Sequence, residues 1–523
     1  MPDNAVSASA KGATSLIALQ IISRAITFAL NQFLLRYLSP ELLGISVQLE
    51  LYKMGTMYFA RESLRVAAER RSDGGIQAAI NLSYLAILAG FPISALLAEW
   101  YLSVGSLDVA YFSQALRVNQ LAALVELLME PAFTAAQQNL MYGARATAEG
   151  ASVILKTVTV FSLFFWSHSR GIDLGVLPYA VGELVNSVVL TTVYWSLTAP
   201  VARDKKFSLF PRKMKSSPSQ RYLLSYFYKP LLWLIGSLFF QTGIKWLLTE
   251  GDKLLITALA SLEDQGLYAL SANYGGLVAR MLFQPIEISS RNLFATLCGA
   301  SSKPSKTPNE TSKKGESTTD SSATNDNLQS AALVLRDIIR VYSIFSLIIF
   351  AIGPTAAPLL LRLVAGSRWS SSGAAQVLGT YCYYIPFLAI NGVSEAFVAA
   401  TASTKDLRDQ TFWMVGFSGL FGLSAYAFVS VLGLGAEGLV WSNCVNMALR
   451  VVFNFAFVRR YFAERGRAFS IAGVLPNMYA VGFAVAAPSV LTQSGKIGTF
   501  KAYGLFGELV RVGGVAGLLA VAM

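Results

Sequence analysis

Charged residues inside long apolar segments constrain this chain more than any other feature. Arg24 lies in the apolar run Gly12–Leu38, and Glu50 and Lys53 lie inside the next such run. A charge at the centre of a membrane helix costs about 2.5–3.5 kcal/mol on insertion scales, so it normally faces a partner or a water-filled cavity. The pattern predicts a membrane protein with a polar interior, and the cations favour an anionic, strongly hydrated substrate.

The composition agrees with a membrane protein. Of the 523 residues, 54% are hydrophobic and 14% are charged, whereas soluble domains are about 25% charged. The short polar segment Met1–Lys11 precedes the first apolar run, and we expect no cleavable signal peptide. Since a spanning helix needs about 20 apolar residues, the sequence predicts an all-α polytopic fold of about fourteen transmembrane helices.

The apolar runs group into two lobes of six helices. The first lobe is predicted over 1–200 and the second over 224–462, with a basic cytosolic linker at 201–223. The polar segment 299–327, rich in Ser, Thr and Lys, is predicted to be a disordered cytosolic loop of the second lobe. Two further helices are predicted in 463–523.

Lys and Arg concentrate in alternate loops. Because cytosolic loops carry an excess of these residues, the pattern predicts that both termini are cytosolic. This placement assigns the net charge of +12 to topology and membrane lipid rather than to nucleic acid. The sequon Asn309-Glu310-Thr311 then lies in the cytosol, where it escapes glycosylation.

Signals of an enzyme are absent from the sequence. The three cysteines are scattered, and no phosphate-binding loop or nucleophile elbow occurs. The single histidine, His168, is expected to be an interfacial residue. We therefore predict no catalytic residue, no metal site and no cofactor.

A polar stripe runs along the first apolar span. Gln20, Arg24, Thr27 and Asn31 are spaced by three and four residues, so a helix places them on one face. Either this face closes a network of interhelical hydrogen bonds, or it forms the wall of an anion-facing cavity.

The second apolar span carries a cationic fork. Lys53 lies near its middle, and Arg61 and Arg65 lie four residues apart near its cytosolic end, a spacing that suits phosphate oxygens. The alternative is that both arginines anchor the helix at the cytosolic surface. Glu62 between them argues slightly against a simple anchor.

Several short sequence motifs resemble those of the Rft-type family, the eukaryotic oligosaccharide translocation proteins of the endoplasmic reticulum. These motifs run through both lobes, so the resemblance covers most of the chain. They are Leu19–Phe28, Leu34–Glu41, Phe59–Arg65, Glu130–Phe133, Leu248–Lys253 and Phe283–Glu287.

The resemblance implies a fold similar to the multidrug and oligosaccharidyl-lipid exporters, with two helical bundles and two additional helices. It also implies movement of a dolichol-diphosphate-linked oligosaccharide from the cytosolic to the lumenal leaflet for N-glycosylation, by alternating access to a cationic central cavity. Glycan-assembly enzymes of the endoplasmic reticulum membrane are candidate partners.

The candidate substrate-binding residues are of two kinds: charged residues inside apolar segments, and charged residues within the motifs that resemble the family. They are Arg24, Arg36, Lys53, Arg61, Glu62, Arg65, Lys245, Glu250, Asp252, Lys253, Glu287 and Arg291.

Two other functions remain open. One is a cation-coupled exporter on the same fold, against which the absence of an acid between Gly12 and Pro40 counts. The other is a scaffold or chaperone of the glycan-assembly pathway that binds the lipid without moving it. A polytopic glycosyltransferase is disfavoured because the predicted lumenal loops are short.

Overall fold

A computed structural model describes most of the chain as helix. The described residues are 32, 35, 38–70, 75–104, 109–139, 141–214, 222–299, 317–365, 369, 372–470, 476–494 and 504–522. The chain divides into two compact units, Met1–Gly251 and Asp252–Met523.

The first unit begins with six described helices. Their bounds are α1 Pro40–Arg70, α2 Gly75–Val104, α3 Phe112–Leu127, α4 Glu130–Gln138, α5 Tyr142–Arg170 and α6 Leu177–Asp204. Helix α6 packs against both α3 and α5, and α1 packs against α2 and α3.

Helices α3 and α4 follow one another closely and are divided next to Pro131. Proline has no N–H to donate and its ring crowds the preceding turn, so it is tolerated in the first turn of a helix and interrupts a helix interior. Here Pro131 lies in the first turn of α4. The break brings Glu126 and Glu130 close to the helix junction.

A short hairpin and the helix that follows it complete the first unit. Strands β1 (Tyr222–Leu223) and β2 (Phe227–Tyr228) pair antiparallel and lead into α7, Lys229–Leu259. The early part of α7 belongs to the core of the first unit, because Leu231 and Leu238 are buried with residues of α1 and α2. The first part of α7 thus packs in the core of the first unit, and the lobe boundaries predicted from the sequence, 1–200 and 224–462, stay predictions.

The second unit continues from the end of α7. Its helices are α8 Leu262–Val278, α9 Gln284–Gly299, α10 Ser317–Ala365, α11 Ala374–Tyr381, α12 Ile385–Thr401, α13 Thr404–Ala425, α14 Gly435–Ala463, α15 Met478–Ser494 and α16 Gly504–Ala522, with π-helical turns at Ala279–Phe283 and Tyr426–Val431. Helix α12 packs against α9, α10 and α14, and α10 also contacts α15 and α16.

The C-terminal part of the segment 299–327, which the sequence predicts to be a disordered loop, is helical. Residues 300–316 lie outside the described residues, but α10 already begins at Ser317. Adding residues to an existing helix avoids the cost of nucleation, so the polar segment 317–327 can extend the apolar helix that follows it.

Six described helical segments are long and apolar enough to cross a membrane. They are Gly75–Ser103, Gly143–Arg170, Leu177–Asp204, Asp326–Ala365, Ala374–Thr401 and Lys405–Val431. The protein thus has the character of a membrane protein. The count of fourteen spans stays a prediction, since most of the first apolar run lies outside the described residues.

Candidate functional site

Helix α1 presents cations to a group of acids that arrive from three other helices. Lys53, Arg61 and Arg65 are spaced by eight and four residues, so they share one face of α1. The facing carboxylates are Glu126 of α3 and Glu130 of α4, with Glu183 of α6.

Lys53 is held by two carboxylates and one hydroxyl. Its Nζ atom lies 2.9 Å from Oε2 of Glu126 and 2.7 Å from Oε2 of Glu183. It also donates to the Ser187 hydroxyl at 3.1 Å. All three ammonium hydrogens of Lys53 can therefore be directed at acceptors, which compensates its burial between helices.

The two arginines continue the same network along α1. Nη1 of Arg61 lies 3.1 Å from a carboxylate oxygen of both Glu126 and Glu130. Arg65 binds Glu130 with two donors, Nε at 3.0 Å and Nη2 at 2.6 Å, and its guanidinium lies 3.7 Å from the Phe133 ring centroid. Such a bidentate pair has a fixed geometry that lysine cannot reproduce.

Lys156 of α5 completes the network by pairing with the second oxygen of Glu183. Within the described residues, four cations and three carboxylates thus form one chain of contacts that joins α1, α3, α4, α5 and α6. Removal of one partner from a buried pair leaves an uncompensated charge, which is far more costly than exchange of that partner for another anion. Each cation of the network thus depends on an anionic partner.

A cavity of about 530 Å³, which we call the central cavity, lies against this network. Helix α1 contributes residues at spacings of three and four, which is the pattern of one helical face. The described lining residues are Glu50, Lys53, Met54, Met57, Tyr58, Arg61, Glu62, Glu126, Glu183, Asn186, Trp246 and Glu250.

The described lining of the central cavity is not predominantly cationic. It contains five carboxylates, with Lys53 and Arg61 as its basic residues. The cationic walls predicted from Arg24 and the cations of α1 stay a prediction, since Arg24 lies outside the described residues and the acids of α3 and α6 accompany Lys53 and Arg61. Folding brings those acids to the cations, since an unpaired charge in this environment would be unfavourable.

A second cavity of about 420 Å³, the side cavity, lies between α1, α5 and α6. It shares the residues Glu50, Glu183 and Asn186 with the central cavity. The two cavities therefore meet at a common polar wall. The other described lining residues of the side cavity are Ser46, Leu49, Val153, Lys156, Thr157, Val160 and Tyr179.

Two predicted residues of the first unit line the central cavity in addition to Lys53 and Arg61: these are Glu62 and Glu250. Arg24 and Arg36 lie outside the described residues. Lys245 lies on α7, and its side chain also lies outside the described part.

Four predicted residues belong to the second unit. Asp252 accepts a hydrogen bond from the Asn446 amide at 3.1 Å, and Lys253 is exposed. Glu287 lies partly buried on α9, and Arg291 is exposed one turn later on the same helix. Substrate contact by these four residues stays a prediction.

The candidate residues of the sequence analysis did not include the acids of the network. Glu126, Glu130, Glu183 and Lys156 were present as isolated charges inside apolar segments, and this is the signal that could have identified them. Spacing shows that Glu126 and Glu130 share a helical face, but it does not show which cation they meet. Asn186 carried no comparable signal, because a single amide in an apolar helix is common.

Residues 8–523 match the family model described as Rft protein. Three curated relatives are each named "Man(5)GlcNAc(2)-PP-dolichol translocation protein RFT1". The protein from Yarrowia lipolytica is 34% identical, with 87% of this chain and 70% of that protein covered. The protein from Saccharomyces cerevisiae is 31% identical over 87% and 83% of the two chains, and that from Xenopus tropicalis is 31% identical over 89% and 85%.

Solved structures with a similar fold are membrane transporters. The lipid II flippase MurJ in an inward closed conformation superposes with a TM-score of 0.59 at 13% identity, and 97% of each chain is covered. An inward-facing MATE family multidrug resistance transporter gives a TM-score of 0.55 at 11% identity, with 86% of this chain and 98% of that chain covered. At these identities the likeness establishes a MurJ/MATE-like helical fold alone.

Proposed function

Since the chain belongs to the Rft protein family, we propose that it moves a dolichol-diphosphate-linked oligosaccharide from the cytosolic to the lumenal leaflet of the endoplasmic reticulum membrane. The relatives' names supply the lipid and its glycan, Man(5)GlcNAc(2). A charged diphosphate with a sugar head group does not cross about 30 Å of hydrocarbon unaided. The substrate therefore needs a polar passage inside the protein.

The observation that carries this proposal is the ion-pair network beside the central cavity. Lys53 and Arg61 line the cavity, and each is held by two carboxylates. A diphosphate entering the cavity offers the same type of acceptor oxygen as Glu126 or Glu183. Exchange of one anion for another keeps the cations paired at every step, so the head group binds without exposing a bare charge.

Release follows from the same exchange in reverse. When the carboxylates return to Lys53 and Arg61, the diphosphate loses its partners and is free to leave. We propose that this exchange accompanies alternating access, in which one lobe rocks against the other and exposes the substrate to each leaflet in turn. Net direction would come from consumption of the lipid on the lumenal side.

The test is reconstitution of the purified full chain in vesicles with a labelled dolichol-diphosphate oligosaccharide. Arg61→Met should slow transbilayer movement at least about tenfold if the lost contact is charge-assisted. The matched control is Arg145→Met on α5, because Arg145 pairs with Glu149 at an exposed position. Arg24→Ala extends the test to the first apolar run.

Two outcomes would contradict the proposal. If wild-type protein moves the lipid no faster than protein-free vesicles, the scaffold function is favoured. If Arg61→Met lowers the yield of folded protein as much as it lowers movement, the network is structural.

The acids of the central cavity favour a second candidate, export of organic cations on the same fold. Glu50, Glu62 and Glu250 accompany the aromatic residues Tyr58 and Trp246 in its lining. Carboxylates and aromatic faces both attract cations. A transport assay with a permanently charged dye decides between the two: dye uptake that Glu62→Gln abolishes, without lipid movement, would favour the exporter.

We also propose that both termini are cytosolic and that the chain is multi-pass. The alternation of basic loops in the sequence supports this orientation. Expression in cells with active glycosylation should leave Asn309 unmodified. A flexible insert carrying the same sequon between residues 106 and 107 should be glycosylated, and the reverse result would overturn the orientation.

A further inference from the structure

We infer that the side cavity is a binding site for the glycan of the substrate, with Glu50 and Asn186 as its hydroxyl-recognising residues. The inference rests on the proposed function, because it assigns a part of the same substrate. It goes further by separating the site of the sugars from the site of the diphosphate.

The wall shared by the two cavities contains polar groups without protein partners. Glu183 is held by Lys53 and Lys156. In contrast, neither Glu50 nor Asn186 forms a hydrogen bond or ion pair within the described part of the chain, although both line the two cavities. Glu50 is exposed and Asn186 is half-buried, so each can meet water or a ligand. These two residues are therefore available to a ligand.

The chemistry of the side cavity suits a neutral ligand rich in hydroxyls. A carboxylate accepts hydrogen bonds from hydroxyls, and an amide both donates and accepts. The side cavity adds Thr157 and Tyr179 to Glu50 and Asn186, and Leu49 contributes apolar surface. An apolar polyprenyl chain would bury Glu50 and Asn186 without satisfying them. A sugar satisfies them and leaves its apolar faces for the aliphatic wall.

The position of the side cavity matches the order of groups in the substrate. The glycan is joined directly to the diphosphate, so the two must occupy adjacent sites. Glu183 lies between the cavities and contacts Lys53 on one side and Lys156 on the other. With the diphosphate at Lys53 and Arg61, we place the first sugar near Glu183 and the sugars that follow it at Glu50 and Asn186.

This inference also explains why the described lining is rich in acids. A site for diphosphate alone would gain nothing from Glu50, which would repel the anion. A glycan site gains a strong acceptor, because hydrogen bonds to an ionised carboxylate are stronger than those between neutral groups.

The test compares two labelled substrates in vesicles: dolichyl diphosphate with the full glycan and dolichyl diphosphate with a single N-acetylglucosamine. Asn186→Leu should slow the full-glycan lipid about fivefold relative to the single-sugar lipid, the factor expected for one lost neutral hydrogen bond. Asn186→Gln should slow the full-glycan lipid less than Asn186→Leu does, because glutamine keeps the amide group. The control is Thr192→Val, because Thr192 is exposed on the same helix and its hydroxyl bonds its own backbone.

A second measurement separates this inference from the proposed function. In a protein carrying Asn186→Cys, the full-glycan lipid should slow labelling by a hydrophilic maleimide more than the single-sugar lipid does. Equal protection by both lipids, or equal slowing of both in Asn186→Leu, would overturn the glycan site even if transport occurs. If wild-type protein moves neither lipid, the proposed function fails. The protection from maleimide labelling by the full-glycan lipid, compared with that by the single-sugar lipid, still decides whether the side cavity binds the glycan.

Discussion

The Nη1 atom of Arg61 lies 3.1 Å from Oε1 of Glu126, and this ion pair ties α1 to α3 at the wall of the central cavity. The other oxygen of the same carboxylate lies 2.9 Å from Nζ of Lys53. One acid therefore compensates two cations that lie two helical turns apart. Loss of Glu126 would therefore remove a partner from Lys53 and from Arg61 at once.

Glu126→Gln should destabilise the protein because it removes charge from both Lys53 and Arg61. Each cation keeps a second carboxylate, Glu183 for Lys53 and Glu130 for Arg61. We therefore expect the free energy of unfolding to fall by about 3 kcal/mol, the lower end for a broken buried pair. Thermal unfolding in detergent micelles measures the effect. Glu149→Gln is the control, because its exposed pair with Arg145 contributes only a few tenths of a kcal/mol. Equal midpoints for the two variants would show that the network is not a stabilising unit.

Arg65→Lys should also be destabilising, although it conserves the charge. Arg65 makes two hydrogen bonds to Glu130 and stacks its guanidinium on Phe133. A lysine retains one contact at most, and the loss of one charge-assisted hydrogen bond corresponds to about 1.5–3 kcal/mol. The same substitution at the exposed Arg145 should be nearly neutral. An Arg65→Lys protein as stable as Arg145→Lys would show that the bidentate geometry contributes nothing.

Gly275→Ala should destabilise the second unit through a steric clash. A Cβ atom at Gly275 of α8 would collide with the ring of Tyr381, which is buried. Displacement of a packed aromatic ring costs about 1–3 kcal/mol. Gly416→Ala on α13 meets no neighbouring atom, and alanine there should stabilise the helix by about 0.5–1 kcal/mol. Unfolding midpoints that shift in opposite directions would confirm the packing of α8 on α11, and shifts of the same sign would contradict it.

A cysteine at position 186 should react with a hydrophilic maleimide in a cysteine-free background. Asn186 lines two cavities, so water and the reagent should reach it from either one. Ser152→Cys is the matched control, since Ser152 on the neighbouring helix α5 is buried. The three native cysteines are buried, which makes their replacement by alanine the appropriate background. Reaction of position 152 as fast as position 186 would contradict the wet interior of the first unit.

Much of the fold followed from the sequence, because a membrane restricts a spanning chain to few solutions. Long apolar runs predicted helices, and the residues of α1 that line the central cavity already showed the three- and four-residue spacing of one face. Pro131 lies in the first turn of α4, beside the interruption between α3 and α4. Which core buries Leu231 and Leu238 could not be predicted, because it depends on packing between helices.

The sequence by itself determined that this chain is a helical membrane protein of the Rft family with cations inside apolar segments. Only the tertiary structure decided which acids meet those cations, since Glu126, Glu130 and Glu183 lie far along the chain from the cations of α1. Helical spacing fixes which residues share a face, and packing between helices fixes what each face meets. That second step paired Lys53, Arg61 and Arg65 with carboxylates, and it placed Glu50 and Asn186 where two cavities join.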